Sequence, residues 1–259
     1  MSNIARMMQR ATAGAAGAGL DVDEVFNTFL YTGTADNSSI PVNNGIDLSG
    51  EGGLVWIKGR DSTRSHYLFD TERGTSVGLT SGGTNANLSI TNAVTAFNNN
   101  GFTVGPYDDV NTTDEKDQVA WTFRKAPKFF DVVKVSSTSA GANTVSHSLG
   151  QTVGMIISKR TSSTSDWYVW HRSNSTGALA LNSTNATSVY NAPQYVFGNG
   201  TSVVQPTSTE LTFFSSGGDY VFYIFAHNDS GDGEFGPDGD ADIIKCGSYT
   251  GNGNATGPS

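Results

Sequence analysis

Two copies of one pattern of apolar blocks, about a hundred residues apart, constrain what this chain can fold into. The copies keep the same order and spacing: LVWIK at 54–58 and MIISK at 155–159, HYLF at 66–69 and WYVW at 167–170, VAWTF at 119–123 and VFYIF at 221–225. Chance similarity would not hold this register, and self-similarity at a fixed period is the signature of repeated structural units. The sequence therefore predicts two units of one kind.

Each block is short, rich in β-branched and aromatic residues, and bounded by Gly, Asn, Ser or Asp, which is typical of β-strands. Several blocks are apolar at both odd and even positions, which favours strands deep within a sandwich. Helical spacing is weak outside the N-terminal segment and residues 90–97. We expect an all-β fold of two tandem antiparallel β-sandwich units of jelly-roll or lectin-like type, preceded by a short N-terminal arm.

Part of the repeat pattern occurs a third time near the end of the sequence, and it indicates how the chain is divided into units. DIIK at 242–245 repeats DVVK at 131–134, and YTG at 249–251 repeats 31–33. A new unit would then start near residue 242, in a longer chain. The predicted divisions are an anchoring arm at 1–25, a first unit at 26–128, a second unit at 129–230, and a linker with the start of a third unit at 231–259.

Charge and composition restrict the classes of partner. The formal net charge is −9 and Lys and Arg form no cluster, so we expect no binding to nucleic acid. No apolar run approaches the ~18 residues of a membrane span, so no membrane insertion is expected. The only cysteine, Cys246, allows neither an internal disulfide nor a Cys-based zinc site. The sequence predicts no cofactor.

Candidate catalytic residues are sparse. The chain has four histidines, with no serine in an elbow motif and no helical metal spacing, so they are interpreted as hydrogen-bonded structural residues. Asp70, Glu72 and Arg73 are expected to form a surface ion pair that closes the turn before Gly74. The prediction is that the chain is not an enzyme.

The acidic loop at 229–242 and the tryptophans leave alternatives open. Asp232, Asp238 and Asp240 are a weak candidate for a calcium site, because calcium takes oxygen ligands on a Gly-containing loop, but the spacing does not fit a helical calcium loop. The other interpretation is a solvated hinge. The four tryptophans lie in strand blocks, which favours core packing over sugar stacking: Trp56, Trp121, Trp167 and Trp170.

The first copy, with LVWIK at 54–58, His66, Leu68, DTERG at 70–74, NGF at 100–102 and VAWTFR at 119–124, resembles repeat units in tail-fibre and other tail-associated proteins of marine and cyanobacterial phages. ARMMQ at 5–9 and the Ala/Gly run after it also resemble the start of such virion proteins. In the second copy, the Asp70-Thr71 pair is replaced by His171-Arg172.

The resemblance implies a structural virion protein: a homotrimeric phage tail fibre whose distal region recognises a host surface receptor. Its N-terminal arm would dock on other tail proteins of the adaptor or nozzle type. The arm residues expected to anchor it include an apolar face at helical spacing and two arginines: Ile4, Arg6, Met7, Met8 and Arg10.

Two other functions compete with the fibre hypothesis. A carbohydrate-binding, lectin-like module of a tail or baseplate protein would show an exposed aromatic pair on a concave sheet face. A depolymerase would need a pair of carboxylates across a cleft, and nothing in the sequence indicates such a pair.

Overall fold

A computed structural model of the chain describes residues 19–34, 36, 38–61, 63–111, 116–174, 177–184 and 196–253. The predicted anchoring residues of the arm, at positions 4 to 10, lie outside the described residues. The predicted all-β fold is confirmed, since strands and their connections make up nearly all of the described chain. One short helix, α1 (Val22–Val25), precedes the strands.

The described residues form fourteen strands and, after the twelfth, a single 3-10 turn at Arg172–Asn174. The strands are β1 (Phe26–Thr32), β2 (Ile40–Asn43), β3 (Gly53–Gly59), β4 (Tyr67–Asp70), β5 (Val77–Thr80), β6 (Leu88–Ser89), β7 (Val94–Asn98), β8 (Gly101–Val104), β9 (Asp117–Arg124), β10 (Phe130–Ser146), β11 (Val153–Arg160), β12 (Trp167–His171), β13 (Leu179–Ala180) and β14 (Glu210–Ala226).

The apolar residues at 90–97 have helical spacing, but they do not form a helix. Residues 94–98 form β7, which pairs with β8 through Phe97 and Phe102. Val94 and Phe102 are buried against the sheet beneath. Burial of one face of this hairpin overrides the local spacing, because tertiary packing decides the conformation of short apolar runs.

The five strands of one sheet follow the same order as the first five strands of a six-stranded sheet. Sheet 1 is β1-β9-β3-β4-β5-β6, and sheet 2 is β10-β14-β11-β12-β13. Corresponding residues also pair: Phe26 lies opposite Phe123 in sheet 1, and Phe130 lies opposite Phe225 in sheet 2. The common order supports the two-copy interpretation of the sequence, while the exact unit boundaries stay a prediction.

A second layer covers the outer face of each sheet. In the first half of the chain, a separate sheet of order β2-β8-β7, the cover sheet, lies on sheet 1. In the second half, the ribbon of β10 and β14 bends back over sheet 2. The ring centroids of Phe213 and Phe222, nine positions apart in β14, are only 4.8 Å from each other, whereas an extended strand would separate them by roughly 30 Å.

The bend of this ribbon has a local cause. The β10–β14 register shifts between Val135 and Thr138, and two glycines on the partner strand have positive φ, at +85° for Gly217 and +94° for Gly218. A bulge opposite a glycine pair lets both strands turn sharply. The second layer is thus one continuous bent ribbon in the second half of the chain, whereas in the first half it is the separate cover sheet.

The inner faces of sheets 1 and 2 pack against each other, and we call this contact the joint. One core contains residues of both sheets, among them Leu54 and Leu68 of sheet 1 with Val132, Trp167 and Tyr223 of sheet 2. Each sheet is therefore buried on both faces. Two-sided burial explains why the strand blocks are apolar at odd and even positions alike.

Residues near the described end of the chain pack against sheet 2 and form hydrogen bonds just beyond its strand β14. Ile243 and Ile244 pack against the cores, and both donate their backbone N–H groups to Asn228 Oδ1 at 3.2 Å. Gly19 N donates to Gly236 O at 2.9 Å, so the start of the described chain contacts the acidic loop at 229–242. Residues 242–253 form no strand, and the start of a third unit stays a prediction.

Candidate functional site

A buried ion pair at the end of β4 reaches across the joint. Arg73 Nε donates to Asp70 Oδ2 at 2.7 Å, and Arg73 N donates to Asp70 Oδ1 at 2.9 Å. The hydroxyl of Tyr223, in sheet 2, donates to the same Oδ2 at 2.8 Å. We call Asp70, Arg73 and Tyr223 the clamp, because its hydrogen bonds join the two sheets.

The remaining donors of the clamp are also used. Arg73 Nη2 lies 3.2 Å from both Leu68 O and Tyr223 Oη, and Nη1 donates to Asn87 Oδ1 at 3.0 Å. Burial raises the pKa of Tyr223 well above its usual value. Its hydroxyl therefore stays protonated and remains a donor to Asp70 over the ordinary pH range.

The clamp corrects the expected surface ion pair. The side chains of Arg73 and Asp70 are 1% and 0% exposed, so the pair is buried. Glu72 takes no part: it accepts from Lys125 Nζ at 2.9 Å, and this ammonium also lies 3.3 Å from Asp131 Oδ1. A buried charge needs a partner and full hydrogen bonding, and the clamp provides both.

Lys159, in β11, is a second buried polar group at the joint. Its Nζ donates to Thr84 O, from the sheet 1 half, at 3.1 Å and to Ser165 O at 2.7 Å. Burial lowers the pKa of Lys159 to about 8, although the nearby Asp166 acts in the opposite direction. Ser165 N also donates to Thr84 O, so this carbonyl accepts two hydrogen bonds from the half of the chain that contains sheet 2.

The tryptophans divide into two environments. Trp167 is fully buried at the joint, where its Nε1 donates to Thr80 O at 3.0 Å, and Trp170 is buried in the core of sheet 2. Core packing is confirmed for these two. Trp56 and Trp121 are only partly buried and lie around His66, which accepts a hydrogen bond from Trp56 Nε1 at 3.0 Å.

All four histidines accept a hydrogen bond through Nδ1, which fits the structural role expected of them. The donor is an indole for His66 and a backbone N–H for His147, His171 and His227. Burial lowers the pKa of each of them. A nitrogen that accepts a hydrogen bond carries no proton, so the fold holds these rings in the neutral state.

Stability is expected to fall as the pH is lowered from 7 to 5. Because the folded-state pKa of each histidine lies below its usual 6.5, the unfolded chain binds more protons than the folded chain in this window. The stabilisation is fully present above the unfolded pKa and is lost as the pH falls towards the folded one. Urea midpoints at pH 5, 6 and 7 measure the effect.

His147→Asn is the matched variant for this titration, because an amide oxygen can still accept from Leu149 N but does not titrate. We expect a shallower loss of stability between pH 7 and 5 in this variant. Equal midpoints at all three pH values in the parent chain would contradict the interpretation.

The acidic loop does not bring together the three aspartates that were a weak candidate for a calcium site. Asp242, not one of the three candidate aspartates, organises it: its two carboxylate oxygens accept from Gly231 N at 3.2 Å and Gly233 N at 3.1 Å. Asp232 Oδ1 accepts from Asp229 N at 2.8 Å. Within the described ranges, no group of three or more His, Cys, Asp or Glu side chains could hold a metal ion. Asp232, Asp238 and Asp240 are therefore not brought together.

A cleft of about 470 Å³ lies beside the joint, on the outer face of sheet 2. Its floor is formed by Arg160, Tyr168 and Tyr220, one wall by Phe214 of the bent ribbon, and the other wall by the loop that carries Asp166. Asn182 Nδ2 donates to Asp166 Oδ1 at 2.9 Å. The cleft was not predicted from the sequence, because it exists only once β14 has folded back over its own sheet.

A family model matches residues 21–259, which is nearly the whole chain. The chain belongs to the family described as Domain of unknown function (DUF7483). The DUF7483 match begins directly before α1 and runs without a break through both sheets. The joint, the clamp and the cleft all lie inside it.

No curated protein and no solved structure shows a significant match to the chain. Within the described residues, no helix is long and apolar enough to cross a membrane.

Proposed function

We propose that this chain is a non-catalytic structural protein of a virion: the tail-proximal part of a homotrimeric phage tail fibre. The arm attaches it to adaptor or nozzle proteins of the tail, and the distal region contacts the host receptor. The observation that carries this proposal is the joint. Two sheets with the same order of five strands share one core and one buried clamp, so the two halves form a single rigid body. A spacer in a fibre needs this property.

The environment of the titratable groups supports a structural role. The histidines hold backbone or indole N–H groups, and Lys159 holds two backbone carbonyls. Asp70 is occupied by Arg73 and Tyr223. Groups whose hydrogen bonds are satisfied inside the fold contribute to its rigidity.

An edge of sheet 1 supports assembly with further copies of the chain. β1 is the terminal strand of this sheet, and Leu30 on it is 55% exposed. An edge strand has unpaired backbone N–H and C=O groups, and with an exposed large apolar side chain it can pair with another chain. In the trimer, β1 would lie at the contact between chains, where identical surfaces repeat around the threefold axis.

Deletion of residues 1–18 is expected to abolish incorporation of the chain into tails while leaving its fold and oligomeric state unchanged. The deletion keeps Gly19 and Leu20, because both form hydrogen bonds with Gly236. Immunoblots of purified particles measure incorporation, and urea unfolding measures the fold. Parent-level incorporation of the truncated chain would contradict the anchoring role.

A matched variant separates the apolar face of the arm from its length. Ile4, Met7 and Met8 replaced by serine keep the chain full-length but remove the face that we expect to anchor. Incorporation of this variant should be lost to the same degree as in the deletion.

A further inference from the structure

The cleft beside the joint contains a buried donor without an acceptor. The Nε of Arg160 is buried and has no hydrogen-bond partner among the residues that the structure describes. Leaving a buried donor unpaired costs about 1–3 kcal/mol, and more for a charged group, so such groups are rare in folded proteins. Arg160 as a whole is only partly buried and lines an open cleft, so a ligand in the cleft can reach its guanidinium group.

The aromatic side chains of the cleft are held in place before any ligand arrives. The hydroxyl of Tyr220 accepts from Ser216 N at 3.0 Å, and its ring centroid lies 5.0 Å from that of Phe213. Phe214 packs directly over Gly200, where a Cβ would lie 2.4 Å from the ring. A rigid site loses little conformational entropy on binding.

Polar groups stand around these rings. Asp166 is oriented by Asn182, and burial, followed by the charge of Asp166, raises the pKa of Tyr168, whose hydroxyl therefore remains protonated. The cleft thus combines the guanidinium group of Arg160, the carboxylate of Asp166 and the hydroxyl of Tyr168 with the flat apolar surfaces of aromatic rings. A sugar ring has the matching chemistry, since its hydroxyls both donate and accept while its C–H face is apolar.

We propose that the cleft binds a hexose unit of a glycan, with Arg160 and Asp166 bound to its hydroxyls and the aromatic rings packed against its C–H face. The volume of about 470 Å³ lies within the range of small-molecule sites. Glycoside cleavage uses two carboxyl groups that flank the bond, and Asp166 is the one carboxylate among the described residues that line the cleft. The site therefore binds a sugar without cleaving it.

This binding is independent of the spacer role, since it requires neither the arm nor the trimer. It also places the site on the outer face of sheet 2 and not on Trp167 or Trp170, which are buried.

The test is binding of the purified chain to an array of bacterial surface polysaccharides and of free hexose mono- and disaccharides, followed by NMR titration of the strongest hexose-containing probe. Arg160→Met keeps the aliphatic bulk and removes the donors, so we expect binding to weaken about tenfold or more. Arg60→Met is the matched control, since Arg60 is a surface arginine that directly follows β3 and has a side chain 46% exposed. Binding by this variant should equal that of the parent chain.

Asp166→Asn gives a second measurement in case Arg160→Met does not fold, and it should also weaken binding, by about threefold to tenfold. Absence of binding to every hexose-containing probe at about 10 mM would overturn the proposal. Parent-like affinity in a folded Arg160→Met or Asp166→Asn variant would overturn it as well.

Discussion

Arg73→Met is expected to lower the free energy of unfolding by about 3–5 kcal/mol. The substitution leaves the carboxylate of Asp70 buried at 0% exposure with only the Tyr223 hydroxyl and the backbone as donors. An uncompensated buried charge costs far more than the pair itself contributes. Urea unfolding at pH 7, followed by tryptophan fluorescence, measures the change.

Two comparisons make this result specific to the clamp. Lys245→Met removes a surface ion pair with Asp229, about 60% exposed on both sides, and should leave the urea midpoint nearly unchanged, because solvent screens such a pair. Asp70→Asn combined with Arg73→Met removes both charges and should recover part of the loss. A change below about 1 kcal/mol for Arg73→Met alone would show that the clamp does not hold the joint.

Trp167→Ala is expected to cost about 3–5 kcal/mol, the usual range for removal of a large buried aromatic side chain. Trp167 is fully buried, stacks on Tyr223 with ring centroids 6.4 Å apart, and donates to Thr80 O across the joint. Its loss opens a cavity between the sheets and leaves that carbonyl without its indole donor. The same urea experiment reports the loss.

Trp121→Ala is the matched control, because this side chain lies in the same kind of strand block but is only partly buried. We expect its cost to be less than half that of Trp167→Ala. Equal costs for the two variants would contradict the assignment of Trp167 to the shared core.

The strands could be predicted because their signal is local. Runs such as 54–58 and 221–225 are apolar and end at turn-forming residues, and these runs fall within β3 and β14. Their apolar residues on both parities also indicated burial on two faces. The partner on each face was not predictable, since an apolar face packs equally well on a cover layer or on another sheet.

The clamp could not be predicted, because its parts are distant in the sequence. Tyr223 lies 153 positions after Asp70, and its hydroxyl is hidden in the apolar block VFYIF. The predicted surface location of the ion pair was wrong for the same reason: only the packing of sheet 2 on sheet 1 buries it. Lys159 did give a signal, as a charged residue inside a strand block, and the structure shows it buried at 0% exposure.

The cleft depends on one bend. Gly217 and Gly218 interrupt an apolar stretch, and this was the available sign that β14 changes direction. The fold-back that places Phe214 opposite Arg160 requires the paired bulge in β10, which no local pattern reveals. The acidic loop shows the opposite case: its composition left a weak metal-site candidate open beside a solvated hinge, but Asp242 uses its oxygens on backbone N–H groups.

The molar mass of the purified full-length chain at micromolar concentration, measured by sedimentation equilibrium, tests the proposed spacer of a trimeric fibre most directly. We expect three times the 27.3 kDa of a single chain. A mass of one chain under these conditions would contradict the trimeric fibre.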